Sequence, residues 1–117
     1  MTFPMILVMV GYALGMAIGQ ILFKMAARAT VQAGPEAGLW GYVSLYLCAG
    51  VALYFGLTVL WVWILRSVPL SAAYPFVALA FVFTPLMASA IFGEKLTLGY
   101  ASGLVLILAG IVVVARQ

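Results

Sequence analysis

The chain has 117 residues, of which 68% are hydrophobic and only 6% charged, far from the roughly 25% charged share of a soluble domain. Its net charge of +3 comes from five Lys and Arg against two Asp and Glu, with no His and one Cys. These counts exclude a nucleic-acid-binding stripe, because the basic residues stand singly. They also exclude a transition-metal site built within one chain, an intrachain disulfide, and the usual hydrolase constellations that need a His base. No cofactor is expected.

About 20 mainly apolar residues cross a bilayer, and the runs at 3–27, 39–65, 70–92 and 98–115 meet that need. They are continuously apolar, without the in-out alternation of a membrane β-barrel strand. The fold class expected is therefore an all-α membrane protein, one domain over 1–117 with four transmembrane helices joined by short loops.

In the first run, Lys24 and Arg28 follow the apolar stretch, whereas a secretory signal carries its positive charge ahead of the core. The run is read as a mature helix, and the Ala27–Ala29 Ala-x-Ala pattern as weak support for cleavage. Gly11, Gly15 and Gly19 form a four-residue repeat, a double GxxxG that lets a neighbouring helix approach backbone to backbone. Gln20, Lys24 and Arg28 repeat on a separate face. Gln20 lies deep, and an amide in hydrocarbon needs partners. Two readings of Lys24 stand side by side: a side chain snorkelling to the interface from near the helix end, and a group of a binding site. No carboxylate occurs anywhere in this run.

The second run carries Trp40, Tyr42, Trp61 and Trp63 toward its ends, read as interfacial anchors. Pro69 suits the start of the third run, but Pro75 and Pro85 each remove a backbone hydrogen bond inside it. They are candidate hinges beside Ser71, Tyr74 and Thr84, and a static packing kink is the alternative. Gly93 is placed to end the third helix and Thr97 to cap the fourth. Gly99, Gly103 and Gly110 give the fourth helix its own small-residue face. Glu94 falls on the membrane side of Lys24, within reach of a helix-end salt bridge. Lys and Arg are nearly balanced across the membrane, so a single orientation and dual insertion both remain open.

The segments Val68-Pro-Leu-Ser-Ala-Ala-Tyr-Pro75, Phe92-Gly-Glu-Lys-Leu-Thr97 and Gly103-Leu-Val-Leu-Ile-Leu-Ala-Gly110, in that order, resemble the small multidrug resistance and EamA-like branch of the drug/metabolite transporter superfamily. The resemblance spans nearly the whole chain. It implies a bacterial inner-membrane transporter, not an enzyme, that works as a dimer, often antiparallel, with the fourth helices packed together. In the cation exporters of that family a first-helix glutamate trades protons for substrate and a tryptophan follows the Ala-Tyr pair. Here those positions hold Met16 and Val77, which argues against proton-coupled drug export. Gly19-Gln20-x-x-x-Lys24 and Ala73-Tyr74-Pro75 are instead similar to flippase subunits for aminoarabinose-phosphoundecaprenol. That likeness implies a polyprenyl-phosphate sugar or related anionic lipid as substrate. Lys24, Arg28 or Arg66 would meet the phosphate. Gln20, Ser71, Tyr74 and Thr84 would line a polar passage for the sugar. The partner would be a second copy or a related small subunit. The competing readings are a small-metabolite or drug transporter with other coupling, and a membrane subunit that only assembles a complex.

Overall fold

A computed structural model describes residues 2–116. The elements are α1 (Phe3–Ala33), a 3-10 segment (Pro35–Tyr42), α2 (Leu45–Leu65), α3 (Leu70–Val77), α4 (Ala80–Phe92) and α5 (Leu98–Ala115). Four stretches, Phe3–Ala33, Pro35–Leu65, Leu70–Phe92 and Leu98–Ala115, are long and apolar enough to cross a membrane. The fold is an all-α, four-span membrane architecture, and no strand occurs among the described residues.

Three boundaries differ from the hydrophobic runs. Helix α1 continues six residues beyond position 27, to Ala33, where Gly34 caps it. Nothing between them breaks a helix, and Thr30 returns its hydroxyl to the Ala26 carbonyl at 3.0 Å. Lys24 is therefore nine residues from the helix end, about 13 Å along the axis, not one turn. The second span opens on a 3-10 segment, in which Gly38 takes φ +59 and ψ −139, a conformation closed to side-chain-bearing residues. The α-helix proper starts after Ser44, whose hydroxyl accepts the Leu47 N–H at 3.2 Å. Trp40 and Tyr42 thus sit on the connection, ahead of the helix.

The third span is two helices. After Pro75 the backbone tightens into i→i−3 bonds, Ala78 N–H to Pro75 at 3.1 Å and Leu79 N–H to Phe76 at 3.1 Å, before α4 begins. Pro75 has no N–H for the Ser71 carbonyl, so the regular ladder is already open there. Pro85 lies inside α4 without ending it, and the break falls at 78–79, between the two prolines. Gly93, at φ +69 and ψ 21, ends α4 in the left-handed region. Thr97 caps α5 by accepting the Tyr100 N–H at 3.1 Å.

Packing is led by α1, which lies chiefly against α2 and next against α4. A methyl group added at Gly19 would overlap the Tyr54 ring, and one at Gly15 would sit 2.9 Å from Leu57 Cδ2. Gly50 of α2 performs the reciprocal role under the Phe23 ring. Gly11, of the same repeat, faces open space. The buried core, Met9, Ile64, Val68 and Ala73, gathers where α1 begins, α2 ends and α3 begins. Helix α5 touches α3 and α4 lightly and buries no residue. The molecule measures 53 × 37 × 18 Å, so its thinnest dimension is under two helix diameters.

Replacing Gly19 by Val should therefore force α1 and α2 apart and lower stability by about 1–3 kcal/mol. Gly11→Ala should leave it unchanged. Loss of helical circular dichroism on heating or SDS titration of the purified protein measures both.

Candidate functional site

Two recesses carry the polar chemistry. The first, of about 370 Å³, lies midway along α1 and is lined by Met16, Gln20, Tyr54, Val77, Ala80, Phe81, Thr84 and Pro85. Gln20 Nε2 donates to Tyr54 Oη at 2.6 Å, and that hydroxyl donates in turn to the Met16 carbonyl at 3.2 Å. Tyr54 reaches both because Gly19 leaves its ring room to lie against α1. Phe23 steadies the same ring at 5.1 Å between centroids. The chain from amide to phenol to carbonyl meets part of the amide's demand within the span. Gln20 Oε1 and the second amide hydrogen stay available to a ligand, as does the Thr84 hydroxyl, which has no hydrogen bond among the described residues.

No charged side chain lines this cavity. It has neutral donors and acceptors on one side and apolar surface from Met16, Val77, Ala80 and Phe81 on the other. Such a surface accommodates a hydroxyl-bearing ring. It offers no fixed negative charge to hold a cation or carry a proton. The open ladder between Pro75 and Pro85 forms one of its walls, a use of irregular backbone that hydrocarbon permits only against protein or a polar cavity.

The second recess, of about 340 Å³, lies near the end of α1 and includes Arg28, Gln32, Tyr46 and Phe92 among its lining residues. The Arg28 guanidinium stands over the Phe92 ring, 5.4 Å from its centroid. The Lys24–Glu94 salt bridge is not formed, since neither residue has an ion pair among the described residues. Lys24 is exposed and lines no recess described here.

The remaining candidates lie apart. Arg66 caps the far end of α2, and Ser71 and Tyr74 follow in the first turns of α3, all exposed. Tyr74 meets Trp61 edge-on at 6.3 Å, and Trp61 stacks on Tyr12 at 5.0 Å. Trp61 packs between these two tyrosines beside the buried core. The candidates thus divide into a central pair, Gln20 and Thr84, a recess at one end with Arg28, and a group at the other end with Arg66, Ser71 and Tyr74. Tyr54, Gln32, Tyr46 and Phe92 were missed from sequence. Tyr54 had a signal: it is a phenol midway along an apolar span, where a hydroxyl requires a partner. Among the described residues no three His, Cys, Asp or Glu come together as a metal site would need.

Four apolar spans, three of them lining a neutral polar cavity with a broken helix in its wall, define a membrane transport protein. The chain belongs to the EamA-like transporter family, whose model matches residues 3–116. It is 37% identical over 95 residues to a protein of Sodalis glossinidius named probable 4-amino-4-deoxy-L-arabinose-phosphoundecaprenol flippase subunit ArnE, covering 80% of each chain. Proteins of the same name from Enterobacter sp. strain 638 and Yersinia pestis strain Pestoides F are 35% and 36% identical, covering 80% and 84% of each chain. These relatives are named as flippase subunits, not enzymes. No solved structure matches the chain.

Tyr54→Phe should strip both hydrogen bonds from the central link while keeping the ring. The expected cost is about 0.6–1.7 kcal/mol, the range for interhelical hydrogen bonds in membranes. Unfolding of the purified protein in detergent measures it, and unchanged stability would show that the link contributes nothing.

Proposed function

We propose that the chain is one subunit of a flippase that carries the headgroup of a polyprenyl-phosphate-linked sugar, or a closely related anionic lipid, across the bacterial inner membrane. The observation that carries this reading is the uncharged polar cavity at mid-span. Met16 and Val77, at the positions where the resembling cation exporters hold a carboxylate and a tryptophan, both line it. The cavity takes a sugar by hydrogen bonds to Gln20, Tyr54 and Thr84, while the prenyl tail stays in hydrocarbon between helices. The names of the relatives support the same substrate class.

A headgroup crossing by this route needs no acidic coupling residue. Passage down a gradient, maintained by consumption of the product on the far side, suffices. The prolines on either side of 78–79 allow the cavity wall to yield as the sugar passes. Arg28 is the cation best placed for the phosphate, with Lys24 one turn before it on α1 and Arg66 at the opposite end of the path. Ser71 and Tyr74, near Arg66, serve the second mouth.

The working unit is a pair, either two copies or this chain with a related small subunit. Helix α5 buries none of its residues, and Gly99, Gly103 and Gly110 find no neighbouring helix. A molecule 18 Å thick cannot surround a headgroup by itself. The relatives' description as subunits supports this pairing.

Purified protein in liposomes containing a lipid-linked aminopentose, alone and with a related small subunit, should expose the headgroup on the opposite leaflet. Absence of translocation in both arrangements would sink the flippase reading. Gln20→Ala should slow translocation by about tenfold, the effect of losing one or two hydrogen bonds to a buried polar ring. A rate equal to that of the unaltered chain would remove Gln20 from the path.

A further inference from the structure

We propose that the recess formed by Arg28, Gln32, Tyr46 and Phe92 is a phosphate site, separate from the mid-span cavity, at which the lipid's phosphate is held before the sugar enters. The proposal rests on the lipid-linked-sugar reading and divides it into two stations.

The chemistry of the lining selects an anion. Arg28 presents a planar fork of five donors and no acceptor, while the Gln32 amide and the Tyr46 hydroxyl add neutral donors. No carboxylate lines the recess. Among the described residues Arg28 has the Phe92 ring as its partner and forms no ion pair with Glu94, just beyond Gly93. The guanidinium carbon stands over the ring, and no hydrogen bond or ion pair among the described residues occupies its N–H groups, which bidentate phosphate binding would use. Tyr46 belongs to the first turn of α2, so the positive pole of that helix adds to the field. Arg28 and Gln32 are four residues apart and share one face of α1. The volume of about 340 Å³ has room for a phosphate with part of its sugar or prenyl linkage.

The separation argues for successive stations. Gln20 and Arg28 are eight residues apart on one helix, about 12 Å along the axis, farther than a single sugar ring extends from its phosphate. Lys24 lies between them and lines neither recess, so its charge eases the transfer without forming a binding surface of its own. The mid-span cavity lacks charge and the mouth supplies it. A phosphate therefore rests at the mouth first, and the ring reaches the Gln20 and Tyr54 groups only after the phosphate has left the Arg28 recess.

The test uses the full chain in phosphatidylcholine nanodiscs, with binding read by native mass spectrometry. The probes are undecaprenyl phosphate, undecaprenol as the neutral lipid, and inorganic phosphate as the free anion. The unaltered chain should prefer undecaprenyl phosphate to undecaprenol. Arg28→Gln should weaken that binding by about tenfold or more, and Gln32→Ala and Tyr46→Phe by about two- to fivefold each. Gln20→Ala, at the other station, should change it by less than about twofold. Equal binding of undecaprenol, or an Arg28→Gln affinity equal to that of the unaltered chain, overturns the proposal. Inorganic phosphate bound as tightly as the lipid would make this a free-anion site and overturns the lipid source. Should Arg28→Gln not fold, Arg28→Lys decides: it keeps the charge but loses the fork, so binding at least about threefold weaker supports the site and undiminished binding overturns it. Headgroup translocation is measured on the same proteins. Translocation by an Arg28→Gln protein of undiminished lipid affinity removes the station and leaves the flippase reading intact. Loss of phosphate binding in that variant, where the unaltered chain moves no headgroup either alone or with the related small subunit, keeps the station and removes the flippase reading.

Discussion

Everything polar in the middle of this molecule depends on how closely α1 and α2 approach. In hydrocarbon there is no hydrophobic drive between helices, so contact must come from packing and from hydrogen bonds that have no other outlet. Gly19 supplies both. By leaving no methyl group it seats the Tyr54 ring against the backbone of α1, and from there one hydroxyl joins the Gln20 amide to the Met16 carbonyl. A bulkier residue at 19 would lose the packing and the polar link together. The cavity is thus a product of the interface: its polar wall exists because the two helices touch at that level.

The two ends of the bundle are built differently. At one end Met9, Ile64, Val68 and Ala73 are fully packed, with Tyr12, Trp61 and Phe76 laid over them. At the other, α1 outruns its hydrophobic stretch, the 3-10 segment turns the chain, and the Arg28 recess opens between α1, α2 and the end of α4. The packed end is a core of methyl groups and rings with Arg66, Ser71 and Tyr74 exposed around it, whereas the open end presents donors on longer side chains around a recess.

Much of this was legible in the sequence, and the reasons differ by element. Four spans follow from apolar length alone, which the bilayer makes decisive. Gly93 and Thr97 mark a helix end and a helix start because only a left-handed cap and an N–H acceptor fit there. Gln20 stood out because an amide in hydrocarbon demands a partner. Its partner could not be read, since Tyr54 lies 34 residues away and the pairing depends on the rotation of α2 about its axis. The start of α2 was also hidden, as Leu39 to Tyr42 carry no charge and run straight into the apolar span, although Gly38 and the Ser44 cap exclude them from the helix. The ring partners of Trp61 were hidden for a related reason, since Tyr12 and Tyr74 reach it from α1 and α3. The scattered positions of Arg66, Ser71 and Tyr74 show that a list of polar residues does not define a site until the helices are arranged.

The break at 78–79 has a mechanical corollary. Below it, α3 is tied into the packed end through Ala73; beyond it, α4 is an arm of 13 residues, about 20 Å long. That arm carries Thr84 and Pro85 on the cavity wall and Phe92 under the Arg28 guanidinium. A swing of about 20°, the scale of an ordinary helix kink, would move Phe92 by about 7 Å and Thr84 by roughly a third of that. Loosening the cation's ring support and widening the mid-span space are then one motion of a single lever. The fulcrum is two residues long.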